Sequence, residues 1–138
     1  MKSCRFSFAV HVMAFLAIDP DECCPSSRLA ETVNTNPVVI RRLLLELHNA
    51  GLIKTRRGPQ GGAVLSRNPE RITLLQIQAA VEPPELFGMH PNPPSEKCPV
   101  GRRIEDVMEY IQRRATRSYR QELRKITLQD VVHRLMRS

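Results

Sequence analysis

Four cysteines and four histidines are the side chains here best suited to covalent, metal or redox chemistry, and their spacing tests each possibility. Cys23 and Cys24 are adjacent, Cys4 lies near the start, and Cys98 stands apart with His90 upstream of it. No C-x-x-C pair occurs, so a zinc or iron–sulfur site is poorly supported and no cofactor or metal is expected. His11, His48, His90 and His133 are scattered over four segments, without a nucleophile elbow, metalloprotease motif or nucleotide loop. An enzyme is therefore not expected; Cys98 with His90 as a nucleophile–base pair rests on two loop residues. Cys98 adjoins Lys97 and precedes an expected helix start, both of which favour thiolate, so it is the sensor candidate. An ordinary thiol competes with that reading. Cys23–Cys24 is expected to be inert, because a disulfide between neighbours is strained and a reducing compartment disfavours it.

The second chemistry is that of arginine. Between Val38 and Arg67 stand Arg41, Arg42, Lys54, Arg56, Arg57 and Arg67 against the single acid Glu46. That stretch carries +5 of a formal net charge of +7, in a chain of pI near 9.8. Such a balance favours an anionic partner, nucleic acid or an acidic membrane surface. At its centre lies RRGPQGGAVLSR, residues 56–67. A phosphate-cradling loop would need G-x-x-x-x-G-K-[ST] between strand and helix; this stretch lacks the Lys-Ser/Thr and leads into a strand. Gly58, Gly61 and Gly62 make instead a thin tip that Pro59 stiffens. Arg57, just before the tip, can enter a narrow minor groove, where the negative potential is deepest.

The elements that must hold these residues are legible on either side. A length of 138 residues, 41% of them hydrophobic and 25% charged, suits one globular domain. Phe6, Ala9, Val10, Met13, Leu16 and Ala17 recur at helical spacing behind Ser3, a candidate N-cap. This apolar run contains His11, passes into DPDE without a cleavage site, and is too short to span a bilayer. A buried first helix in a cytoplasmic protein without a membrane partner is expected. SSRLAETV (26–33) reads as a short helix opened by capping serines. NTNP (34–37) is a turn with Asn36 as N-cap and Pro37 at the first helical position. VVIRRLLLELHNA follows as a helix ended by Gly51, with Ile40, Leu43, Leu44 and Leu47 inward and Val38, Val39, Arg41 and Arg42 outward at its N-terminal end. LIKTRR and AVLSR around GPQGG form a two-stranded ribbon.

Helix, turn, helix and ribbon make a mainly α winged helix-turn-helix with a small β wing. The expected DNA contacts are Asn36, Pro37, Val38, Val39, Arg41 and Arg42 on the recognition helix, and Arg57, Gly58, Pro59, Gln60 and Gly61 on the wing. Arginine pairs with guanine edges and valine meets thymine methyls. Ser27 and Arg28, near the start of the supporting helix, are better placed for phosphate than for bases.

On these residues the chain resembles the redox-responsive winged-helix regulators that include IscR, NsrR and CymR. The shared features are the R-G-P-x-G-G wing, the L-x-x-AGL end of the recognition helix and the I-T-L opening of the next helix. CPVGRRIEDV and a second ITLQDVV extend the likeness to the C-terminal half and to the YwnA-like branch. The resemblance implies a DNA-binding transcriptional regulator, in which the arginine matching Arg57 contacts the minor groove. Arg41 stands where the cluster-assembly regulator has a glutamate, so that protein's operator preference does not carry across. Cluster-bearing relatives hold iron with three cysteines before the long helix; this chain keeps only Cys98 there.

Thr73 with Gln76 and Thr127 with Asp130 resemble capping boxes, so helices are expected at both ITL tripeptides. Between them, PPELFGMHPNPPSEKCP (83–99) holds six prolines and reads as a loop too long for a mere connection. From Gly101, Ile104, Val107, Met108, Ile111, Ala115, Tyr119 and Leu123 follow near-heptad spacing. So long an apolar stripe on so small a chain points to a homodimer, and the family dimerises through this helix. The expected organisation is a DNA-binding domain over 1–82, a proline-rich sensor-type loop over 83–100, and the dimerisation and C-terminal helices over 101–138. A homodimeric repressor, thiol- or redox-responsive through Cys98, is the leading reading. Its competitors are a regulator answering a small molecule held near Leu86, Phe87 and Met89, and a winged-helix protein-interaction module that binds no DNA.

Overall fold

The computed structural model describes residues 3–137 and divides into two compact units, residues 3–82 with 123–137, and residues 83–122. The first unit begins with α1 (Arg5–Ile18), whose apolar character on every side suits an element packed by α2, α4 and α6. Ala9, Val12, Met13 and Leu16 are buried on it. The Ser3 hydroxyl accepts a hydrogen bond from the Arg5 N–H and donates to Glu82. Cys4 occupies the N-cap position, however, and no side chain caps α1, so Ser3 is not the N-cap its place in the sequence suggests.

Next come α2 (Ser26–Val33) and α3 (Pro37–Asn49), joined by a turn whose geometry Asn34 sets. Asn34 adopts φ 64°, and its N–H and that of Thr35 satisfy the last carbonyls of α2. Asn36 caps α3 by accepting the Val38 N–H at 2.8 Å, with Pro37 in the first turn. Ile40, Leu43, Leu44 and Leu47 are all buried, as their spacing predicts. The serines of α2 do not cap it: the residue before the helix is Pro25, and no side chain bonds the first-turn N–H groups. A proline cannot cap through its side chain, so the helix opens by geometry alone.

β1 (Ile53–Arg56) and β2 (Gly62–Leu65) pair antiparallel, Ile53 opposite Leu65 and Arg56 opposite Gly62. Ile53 and Ala63 face the core, while Lys54, Thr55 and Arg56 are exposed. After a single 3-10 turn at Pro69–Arg71 comes α4 (Leu74–Val81). Both expected capping boxes form, Thr73 with Gln76 at α4 and Thr127 with Asp130 at α6 (Leu128–Leu135).

The division differs from the sequence-based one at its C-terminal end. The last turn of α5 (Ile104–Lys125) and the residues after it, 123–137, belong with residues 3–82. The two ITL tripeptides pair with each other: Leu74 N–H donates to the Ile126 carbonyl at 2.9 Å, and Leu128 N–H to that of Ile72 at 2.8 Å. Ile72 and Leu128 are fully buried there, and α6 lies against α1.

The second unit holds the proline-rich loop and most of α5. Turns over residues 97–103 precede α5, which starts three residues later than expected. Phe87 N–H donates to Gln112 of α5 at 2.7 Å. None of the helix's 22 residues is buried. No helix among the described residues is long and apolar enough to cross a membrane.

Candidate nucleic-acid interface

The recognition helix presents its outer face by subtraction. Once Ile40, Leu43, Leu44 and Leu47 turn inward, Val38, Arg41 and Arg42 lie outward at i, i+3 and i+4, all exposed. Leu45 continues the same face at 60% exposure, a position sequence reading passed over. A lone leucine in a leucine run looks like core, and only the completed helix shows it beside the arginines. Val39 is the exception among the expected contacts: it is half-buried and packs against the core. Asn36 and Pro37 are exposed, but the Asn36 carbonyl oxygen is spent on the cap, leaving its amide NH2 as the donor.

Glu46, the one acid among these basic residues, forms an ion pair with Arg5. Arg5 also donates through Nε to the Val81 carbonyl at 3.1 Å. The pair clamps α1, α3 and the end of α4 together and satisfies the carboxylate away from the basic face.

The wing tip is a turn, closed by the Gly61 N–H donating to the Gly58 carbonyl at 2.9 Å. Pro59 occupies the second position, which its fixed φ suits. Gly58 has φ 105°, a conformation that glycine adopts without penalty. Gly61 serves a different need: a Cβ there would sit 2.2 Å from the Arg56 carbonyl oxygen. Arg57, Gly58, Pro59 and Gln60 are exposed and Gly61 partly so.

On α2, Ser27 and Arg28 are exposed in the first turn, where uncapped N–H groups add the positive end of the helix dipole. Arg28 lies over the Phe15 ring at 5.6 Å, which fixes its stem. The expected contacts thus fall on three elements of one compact unit: the start of α2, the outer face of α3 and the tip between β1 and β2. Arranged so, they offer guanidinium donors, amides and methyl groups, the donor set for phosphates and base edges rather than for bond-making chemistry.

Cys98 is exposed and lies six residues ahead of the first residue of α5. The dipole acts within the first turn, so it does not reach this thiol. His90, Leu86 and Phe87 are exposed and Met89 half-buried.

Residues 2–134 match the family described as Rrf2, iron-dependent transcriptional regulator. The chain is 36% identical to YwnA of Bacillus subtilis (strain 168), named as an HTH-type transcriptional regulator, over 98% of this chain and 99% of that one. A solved structure described as a transcriptional regulator from Lactobacillus plantarum superposes with a TM-score of 0.82 at 26% identity, covering 96% and 89% of the two chains. CymR, the global cysteine regulator of B. subtilis, shares the fold with a TM-score of 0.70 at 24% identity over 96% of each chain.

The family's description names iron, and the donors of this chain do not fit an iron centre. Cys98 is the sole cysteine of residues 83–122. Among the described residues no three His, Cys, Asp or Glu side chains gather where they could hold a metal. What the chain keeps is the helix-turn-helix, the glycine wing and the long helix: it belongs to the Rrf2 family of DNA-binding transcriptional regulators.

Proposed function

We propose that this regulator acts as a homodimeric repressor that reads a two-fold operator. The outer face of α3 enters the major groove, the wing tip carries Arg57 to an adjacent minor groove, and Ser27 and Arg28 hold phosphate. The observation that carries this reading is the exposed Val38–Arg41–Arg42 face, in a stretch from Val38 to Arg67 whose one acid, Glu46, is committed to Arg5. A protein-interaction module has no need of arginines concentrated on these elements. α5 supplies the partner surface, since an apolar stripe on a helix without a buried residue gains most from a second copy.

The test is binding to the DNA upstream of the gene itself, across a salt series and with Arg57→Ala alongside. Phosphate contacts release counterions, so log affinity should fall linearly with log salt. Arg57→Ala should weaken specific binding by roughly tenfold. Undiminished binding by that variant removes the wing from the mechanism, and absence of specific binding removes the repressor. The exposed Cys98 thiol is the proposed route for a redox response; a Cys98→Ser protein whose operator affinity responds to peroxide as the native protein does eliminates it.

A further inference from the structure

Two further thiols lie beside the DNA-facing residues: Cys23 and Cys24 share a cavity with Arg28, and Cys23 also borders Arg56, Pro59 and Gln60 of the wing. Between the end of α1 and the start of α2 is a cavity of about 270 Å3. Phe15 and Leu16 give it an apolar wall, Arg28 stacked on Phe15 gives it a guanidinium, Asp19 and Glu22 border it with carboxylates, and Cys23 and Cys24 both line it. Cys24 is buried and Cys23 half-buried, whereas Cys4 and Cys98 are exposed.

The cavity is joined to the wing through the backbone. Cys24 N–H donates to the Ala63 carbonyl at 2.9 Å, and Ala63 N–H returns a bond to the Cys24 carbonyl at 2.8 Å. Cys24 thus flanks β2 on the side away from β1. The approach has no slack: a Cβ on Gly62 would lie 2.3 Å from the Cys24 carbonyl oxygen. Pro25, the next residue, leads directly into α2. Displacing residues 23–25 therefore moves the wing strand on one side and the Arg28-bearing helix on the other.

We propose that this cavity is a covalent modification site, where Cys23 adds to small α,β-unsaturated carbonyl compounds and the adduct, by unseating the Cys24–Ala63 pairing, weakens DNA binding. The Cys23 thiolate attacks the β-carbon and a carbon–sulfur bond forms. The π pair moves onto the carbonyl oxygen, and the resulting enolate takes a proton from water, replacing the one the thiol gave up. One thiol and one electrophile become one thioether, with no oxidant required. The Phe15–Leu16 wall suits the carbon skeleton, and the Arg28 guanidinium suits the oxygen on which charge develops. Burial pushes the Cys24 thiol up in pKa, which keeps it protonated and leaves Cys23 as the nucleophile.

Only the last step, loss of DNA binding, rests on the DNA-binding reading, and it is measured separately. The full-length protein is treated with substoichiometric N-methylmaleimide, then followed by peptide mass mapping, amide exchange and DNA affinity. The adduct is expected on Cys23 ahead of the more exposed Cys4 and Cys98, with faster exchange at the Ala63 amide and at least a tenfold loss of affinity. Cys23→Ser should bind DNA as the native protein does and lose all three responses. Labelling of Cys4 or Cys98 before Cys23 overturns the proposal, as does a Cys23 adduct that leaves Ala63 exchange or DNA affinity unchanged. Untreated protein that binds no DNA, yet shows the Cys23 adduct and the Ala63 change, overturns the repressor reading while supporting the modification site.

Discussion

At the scale of single residues, the wing shows how little freedom the tip has. Gly58 and Gly61 are both glycine for different reasons, and the difference can be measured. A methyl at Gly58 meets no atom within 4 Å but must adopt φ 105°, whereas one at Gly61 collides with the Arg56 backbone at 2.2 Å. Strain of this kind costs about 1–3 kcal/mol wherever the surroundings hold the residue in place. The exposed tip relieves it by moving, and Arg57, next to Arg56, moves with it. Gly61→Ala should therefore weaken operator binding about tenfold, at the lower end of that strain range, while barely changing the melting temperature. Thr55→Ala, exposed on β1, unstrained and outside the expected contacts, is the control. Equal affinities for the two variants would mean that tip shape does not set the position of Arg57. Val39 carries the converse lesson: a residue at the border of a helix's two faces can be half-buried, and then its methyl groups serve the core before any base.

At the scale of elements, two capping boxes with one plan differ in a way that pH exposes. Thr127 holds Asp130 below the usual carboxylate range, through its backbone N–H first and its hydroxyl second. A depressed folded pKa contributes stability above the unfolded value, about 3.9, and that contribution disappears as pH falls through the folded value. The Thr73–Gln76 box at α4 does not titrate. Acidification below about pH 4 should therefore loosen α6 and its pairing with Ile72 and Leu74. Asp130→Asn should flatten that limb of the stability–pH curve, whereas Thr73→Ala should cost about 1 kcal/mol at every pH. Thermal melts from pH 3 to 7 check both, and an unchanged acid limb in Asp130→Asn would remove Asp130 from the account. These boxes were legible in the sequence, as were the inner stripe of α3 and the glycine wing, because each is written in residues three or four apart or in one turn. The pairing of the two ITL segments was not, nor was Cys24 against Ala63. Each is a single bridge between distant stretches, and a bridge one residue long leaves no period in the sequence to read.

For the whole molecule, the charge order along α5 constrains the proposed dimer. Glu105, Asp106 and Glu109 occupy its early turns, and Arg113, Arg114, Arg117, Arg120, Arg124 and Lys125 follow, with Glu122 among them. The arrangement complements the helix's own dipole. Two such helices side by side in parallel would set like against like, whereas antiparallel pairing sets each acidic half against a basic one. Val107 and Ile111, 46% and 41% exposed, lie on one face near the middle of that charge pattern. In the proposed dimer, a charge placed there meets the partner's apolar stripe rather than water. Ile111→Asp should therefore shift the sedimentation mass from dimer to monomer while leaving helix content intact, since no core residue is touched. Its affinity for a full operator should drop toward that for one half-site, because the second recognition helix no longer arrives on the same scaffold. The native dimer should also retain two-fold preference, losing affinity when the half-sites are moved off a spacing of about 10 bp or its multiples. A variant that remains dimeric with Ile111 and Val107 both changed to aspartate would place the subunit contact elsewhere and free the apolar stripe of α5 from that role.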